Sequence, residues 1–179
     1  MTSAATAQDG RHWHAVHTCS RHEKMVAGLL SERSLDCFLP LRRVLSQWVD
    51  RKKWVEEPLF PGYLFVRIAE MEISSVWETR GVAALVGPEP GKPSVVPDAE
   101  VENIRRLLAS EASLDPYPYL ELGRLVRITR GPLRGIVGTL VRKSRRCLLV
   151  VSVRLLGRSV AAEIPADAVQ ALQRDAEYM

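Results

Sequence analysis

An α+β chain is predicted: an N-terminal α/β sandwich, in which helices flank an antiparallel sheet, followed by a small β-barrel. Three observations predict it. Between residues 12 and 109, short strand patterns alternate with segments of helical periodicity. Residues 110–121 show neither period, and Pro116-Tyr117-Pro118-Tyr119 stiffens them into an interdomain linker. From residue 122 to about 174 the chain becomes a series of short β-branched-rich runs separated by glycines or charges, the pattern of a small barrel.

The elements follow in order. Residues 1–11 carry no periodic pattern and are expected to be disordered. Trp13-His14-Ala15-Val16-His17-Thr18 alternates as a strand does and leads into Ser20-Arg21-His22-Glu23, where a capping box between Ser20 and Glu23 predicts a helix start. Val26, Leu29, Leu30 and Arg33 continue it at helical spacing, and Cys37-Phe38-Leu39-Pro40 reads as a short strand closed by proline. Val44, Trp48, Val49, Trp54 and Val55, with Arg51-Lys52-Lys53 among them, predict a hairpin with a charged tip. Pro58 to Val66 is a turn feeding a strand that is apolar on both faces, hence central in its sheet. Ile73 to Arg80 is a short helix and Ala83 to Val86 a strand ending at Gly87-Pro88. Pro97-Asp98 opens a helix with Val101, Ile104, Leu107 and Leu108 on one face. In the last third, Leu125-Val126-Arg127-Ile128, Ile136 to Val141, Leu148 to Leu155 and Val160 to Ile164 supply the strands, and β propensity there outweighs helix propensity.

Composition narrows the function. The 179 residues are 46% hydrophobic and 26% charged, with a formal net charge of +4, an ordinary globular makeup with a mild basic excess that suits a polyanionic partner. With no signal-peptide pattern at the start and no apolar run of membrane-spanning length, the expectation is a cytoplasmic monomer without a membrane partner. Cys19, Cys37 and Cys147 are odd in number and far apart, which suits buried reduced thiols better than disulfides or zinc.

Catalytic signatures are lacking. Gly131-Pro132-Leu133-Arg134-Gly135 has no following Gly-Lys-Ser/Thr to hold a phosphate. His12, His14, His17 and His22 cluster, but no Cys or carboxylate at ligand spacing completes a metal site, and Cys37 lies in an apolar strand where its thiol stays protonated. The reading is of a protein that is not an enzyme and holds no metal or cofactor. Basic residues form two groups: Arg42, Arg43, Arg51, Lys52 and Lys53, and Arg142, Lys143, Arg145 and Arg146. Solvated hairpin tips explain both, and phosphate contact is the competing reading, which predicts a steep loss of nucleic-acid binding with salt.

Two stretches go beyond generic pattern. Glu57-Pro58-Leu59-Phe60-Pro61-Gly62-Tyr63-Leu64-Phe65-Val66, preceded by Trp13 and followed by Thr79-Arg80-Gly81-Val82, resembles the signature of the NusG N-terminal domain. Gly123-Arg124-Leu125-Val126-Arg127-Ile128, followed by Gly131 to Gly135 and Gly138, resembles a KOW motif, the opening of an SH3-like barrel. The two occur in the family's order and cover Trp13 to about Leu172. The stretch from Trp48 to Val66 and the Pro97-Asp98 helix start look most like the specialised RfaH and UpxY type of antiterminator.

The resemblance implies a transcription elongation or antitermination factor. Its first domain, residues 12–109, would set an apolar depression against the clamp helices of the largest RNA polymerase subunit and so suppress pausing or termination. Carried over by position, the polymerase-binding residues are His17, Phe60, Tyr63, Phe65, Pro88 and Val101, with Ser74 and Ser75 toward the opposite side of the cleft. At position 17 relatives often carry an aromatic residue, so histidine departs from their pattern. Core packing is the competing role for Phe60 and Phe65, since alternation puts Tyr63 and Phe65 on one face and Leu64 and Val66 on the other. Arg80 matches a position that reaches the non-template DNA strand, and Arg51, Lys52 and Lys53 are the other candidates for DNA or nascent RNA. In the barrel, Leu156 and Arg158 match the surface offered to a ribosomal protein or to the termination factor Rho. Two alternatives stand beside this reading: a KOW-containing RNA-binding or ribosome-associated protein without polymerase contact, and a metal-dependent hydrolase built on the histidines.

Overall fold

The computed structural model describes residues 10–47, 52–89, 91–110, 114–117, 124–143, 146–165 and 168–172. Along the chain run β1 (His12–Thr18), α1 (Glu23–Glu32), β2 (Asp36–Phe38), β3 (Leu41–Gln47), β4 (Lys52–Pro58) and β5 (Tyr63–Ile68). They are followed by α2 (Ile73–Trp77), β6 (Val82–Leu85), β7 (Val95–Val96), α3 (Asp98–Ala109) and β8 (Leu114–Tyr117). Last come β9 (Arg124–Ile128), β10 (Val137–Lys143), β11 (Arg146–Val153), β12 (Arg158–Ile164) and β13 (Val169–Ala171). It is a mixed α/β chain in which every strand pairing is antiparallel among the described residues.

The chain divides into two compact units, Met1–Leu39 with Pro61–Asp98, and Pro40–Phe60 with Ala99–Met179. In the first, the sheet order is β2-β5-β1-β6, with β7 also paired to β1. The apolar run of β5 is therefore flanked on both edges, as its two-faced hydrophobicity predicts. Leu64, Val66 and Ile68 of β5, Val16 of β1, Val26 and Leu30 of α1 and Val76 of α2 form one buried cluster. Each such side chain contributes roughly 1.5–3 kcal/mol by leaving water. Arg11, assigned by sequence to the disordered start, is instead tied to Glu72 by a 2.9 Å ion pair; residues 1–9 lie outside the described residues.

The start of α1 differs from its sequence reading. The N-cap is His22 and no side chain caps it. Glu23 is buried and its carboxylate accepts the amide of Gly62, so a long-range backbone donor displaces the local Ser20 partner.

In the second unit, β3 and β4 form a two-stranded ribbon in register from Leu41↔Pro58 to Gln47↔Lys52. The Leu59 amide closes its base on the Pro40 carbonyl at 2.8 Å. Of the expected charged tip, Arg51-Lys52-Lys53, Lys52 and Lys53 lie instead in β4, paired with β3, and residues 48–51 lie outside the described residues. A six-stranded sheet in the order β13-β9-β10-β11-β12-β8 accounts for the last third. Its strands fall on the runs expected from sequence, and the glycine-bounded turn after β9 is fastened by the Gly135 amide on the Ile128 carbonyl at 2.7 Å. Part of the expected linker is a strand: Leu114–Tyr117 pairs with β12 at the sheet edge, the one place where a proline such as Pro116 costs no ladder hydrogen bond. On α3, Val101, Ile104 and Leu107 are buried and Leu108 half-buried, and Arg106 donates to the Arg134 carbonyl.

Candidate functional site

At the C-terminal end of β1, His17 stands opposite Tyr63 of β5. Their rings stack with centroids 5.0 Å apart and planes inclined by 29°. His17 is exposed and Tyr63 half-buried, so the pair offers an aromatic surface to solvent. The turn before β5 fixes it. Gly62 has φ +83°, a region costly for any residue with a Cβ. Its amide donates to Glu23 Oε1 at 2.8 Å and its carbonyl accepts the Thr18 amide at 2.9 Å. A helix carboxylate and a strand amide thus hold the turn from both sides.

Phe65 is two residues further along β5 and is 0% exposed, stacked on Phe38 of β2 at 6.1 Å. Phe60 and Val101, which belong to the second unit, are 2% and 1% exposed. Of the residues carried over as polymerase-binding, these three are therefore core side chains here, whereas His17, Pro88, Ser74 and Ser75 are exposed. Alternation assigns Tyr63 and Phe65 to one face correctly, but it does not say where along that face burial ends.

Around the first unit's surface, Pro88 follows Gly87 in a turn closed by the Glu89–Lys92 ion pair at 2.7 Å. Ser74 and Ser75 lie on α2, whose Ser75 carbonyl accepts from Arg33 at 2.6 Å and from the Thr79 hydroxyl at 2.9 Å. Arg80 is exposed, in a turn where the Gly81 carbonyl accepts the Cys19 amide at 2.8 Å.

The histidines do not converge. His14 is buried and its Nδ1 donates to the Ser94 carbonyl at 3.0 Å, while His12 and His17 are exposed. Burial pushes the His14 pKa down, the Ser94 bond opposes this, and the neighbouring His12 adds to it. Among the described residues, no three His, Cys, Asp or Glu side chains gather as a metal site. Burial, then Asp36, pushes the Cys37 thiol up to about 12, which leaves it protonated and unreactive. Cys19, expected to be buried, is exposed.

In the second unit, Lys52 and Lys53 are exposed on β4, and Arg42 reaches Glu57 at 3.8 Å. Arg51 and Arg145 lie outside the described residues. Lys143 and Arg146 are register partners at the ends of β10 and β11. Leu156 is half-buried and Arg158 exposed in the turn from β11 to β12, just after the Arg154 amide, which donates to Glu100 at 3.3 Å. Sequence reasoning missed this use of Glu100, whose carboxyl is pushed upward by burial and pulled back by the Arg154 bond and charge.

The family model for the transcription termination factor NusG matches residues 11–105. The chain is 30% identical to the transcription termination/antitermination protein NusG of Staphylococcus aureus, over 90% of this chain and 96% of that protein. It is 28% identical to the protein of that name from Thermus thermophilus, over 85% of this chain and 94% of the relative. A solved structure describing the domain interaction in Thermotoga maritima NusG covers 91% of this chain and 98% of its own, with a TM-score of 0.55 and 22% identity, a likeness of fold. Among the described residues, no helix is long and apolar enough to cross a membrane.

Proposed function

Since this chain belongs to the NusG family, we propose that it is a non-enzymatic transcription elongation and antitermination factor that rides on RNA polymerase in the cytoplasm. The observation that carries the polymerase contact is the His17–Tyr63 stack, an exposed aromatic pair on a turn locked by Glu23 and Gly62. An aromatic anchor held rigid before binding loses little entropy on docking, and its truncation typically costs about 2 kcal/mol or more. The partner surface is the clamp helices of the largest subunit. Pro88 borders the contact, Ser74 and Ser75 face the opposite side of the cleft, and Phe65 supports the first unit from within, as Phe60 and Val101 do the second. Arg80, exposed and on a hydrogen-bonded turn, is the candidate for the non-template strand.

The second part of the reading concerns the C-terminal sheet. Its strand order and the Gly131–Gly135 turn support a KOW-type SH3-like barrel. Leu156 and Arg158 on the turn from β11 to β12 are its candidate contacts for a ribosomal protein or Rho. Features of the Trp48–Val66 stretch support the specialised RfaH and UpxY type, which acts on selected operons.

Single-round transcription with purified polymerase tests the function. Added protein should shorten pauses or raise read-through, and Tyr63→Ala should lose that effect. An unchanged pause lifetime at saturating protein would contradict the proposal.

A further inference from the structure

The β3–β4 ribbon has one face whose apolar residues, Leu45 and Trp54, the polymerase reading does not use. Along that face the register places Leu45 opposite Trp54, with Arg43↔Glu56 on one side and Gln47↔Lys52 on the other. Every one of these side chains is exposed: Trp54 is 61% and Leu45 48% solvent-accessible. An indole this exposed on a ribbon is a cost that a folded protein normally avoids, and here a leucine stands across from it. On the opposite face Arg42, Val44, Ser46 and Val55 are partly covered, with exposed Lys53 and Glu57 beside them.

Charge points to the occupant. Lys52 is exposed on the same face as Trp54, two residues away and on the half of the ribbon away from Glu56. An aromatic plane beside an exposed ammonium group fits an unpaired base and a phosphate flanking it. A duplex keeps its bases stacked on one another and offers no free face to Trp54. The exposed Gln47 amide, across from Lys52, can both donate to and accept from a ribose hydroxyl. We propose that the β3–β4 ribbon binds single-stranded RNA, stacking one unpaired base on Trp54 while Lys52, on the same face, holds an adjoining phosphate. The contact does not depend on polymerase binding and is measurable without it.

The test is fluorescence anisotropy of the full chain with a labelled unstructured 12-nucleotide RNA, its DNA counterpart and an RNA duplex of the same sequence. The single-stranded RNA should bind tightest. Trp54→Ala should weaken it about tenfold, Trp54→Phe should restore most of the loss, and Lys52→Ala should lower the salt slope by about 0.7. Because Trp54 is exposed, its replacement leaves the fold in place. Unchanged affinity for Trp54→Ala, tighter binding of the DNA strand or the duplex, or no RNA binding at all would each overturn the proposal. So would loss of polymerase binding by Trp54→Ala with RNA binding intact, since the face would then hold a protein.

Discussion

The carboxylate of Glu23, in the first turn of α1, accepts the backbone amide of Gly62 at 2.8 Å across 39 residues of chain. Because Tyr63 follows Gly62 directly, this one bond links the helix to the aromatic pair at the surface. Glu23→Ala removes a charge-assisted acceptor and should cost about 1.5–3 kcal/mol. Glu23→Gln keeps a neutral acceptor and should cost less. Thermal unfolding of the two variants ranks them, and equal stability of Glu23→Ala and the parent would contradict the assignment.

Two glycines should respond in opposite directions. A Cβ at Gly138 would lie 2.6 Å from the Val150 carbonyl oxygen, so Gly138→Ala must push β10 away from β11 and should destabilise the second unit by about 2 kcal/mol or more. Gly28 is an exposed interior residue of α1 with no atom within 4 Å of its would-be Cβ. Gly28→Ala should stabilise by about 0.5–1 kcal/mol. Denaturant titrations of both variants check the sign of each.

His14 predicts a pH dependence. Its folded pKa lies below the ordinary value of 6.5, so folding favours the neutral ring. That contribution is fully present above about pH 6.5 and is lost as the pH falls through the lowered folded value. His14→Gln should therefore flatten the stability profile of the chain below neutrality. A parent profile that rises on acidification over the same range, with no difference in the variant, would contradict this.

The thiols Cys19 and Cys37 should separate by reactivity. At pH 8 a group with pKa about 12 is thiolate in roughly one molecule in ten thousand, so Cys37 should resist alkylation while exposed Cys19 reacts readily. Peptide mass spectrometry after iodoacetamide treatment should find Cys19 modified first.

Much of this was legible in the sequence because local pattern determines it. The two-faced apolar run Leu64-Phe65-Val66 announced a central strand, and the alternation from Arg42 to Glu57 announced the ribbon. What escaped depends on partners distant along the chain. Ser20 and Glu23 have capping-box spacing, but Gly62 competes for Glu23 and wins. Pro116 and its neighbours read as a breaker, yet an edge position lets them form β8. For the site, periodicity gave the shared face of Tyr63 and Phe65 and could not reveal that Phe65 is sealed against Phe38 while Tyr63 meets solvent with His17. Charged replacements at Phe60 or Phe65 would consequently damage the core before they reported on any interface.

The central claim is that the His17–Tyr63 pair grips RNA polymerase, and its most direct measurement is the affinity of core polymerase for immobilised full-length chain, parent against Tyr63→Ala. With the variant folded, the dissociation constant should rise by about tenfold or more. Undiminished affinity in a well-folded Tyr63→Ala protein would contradict the account.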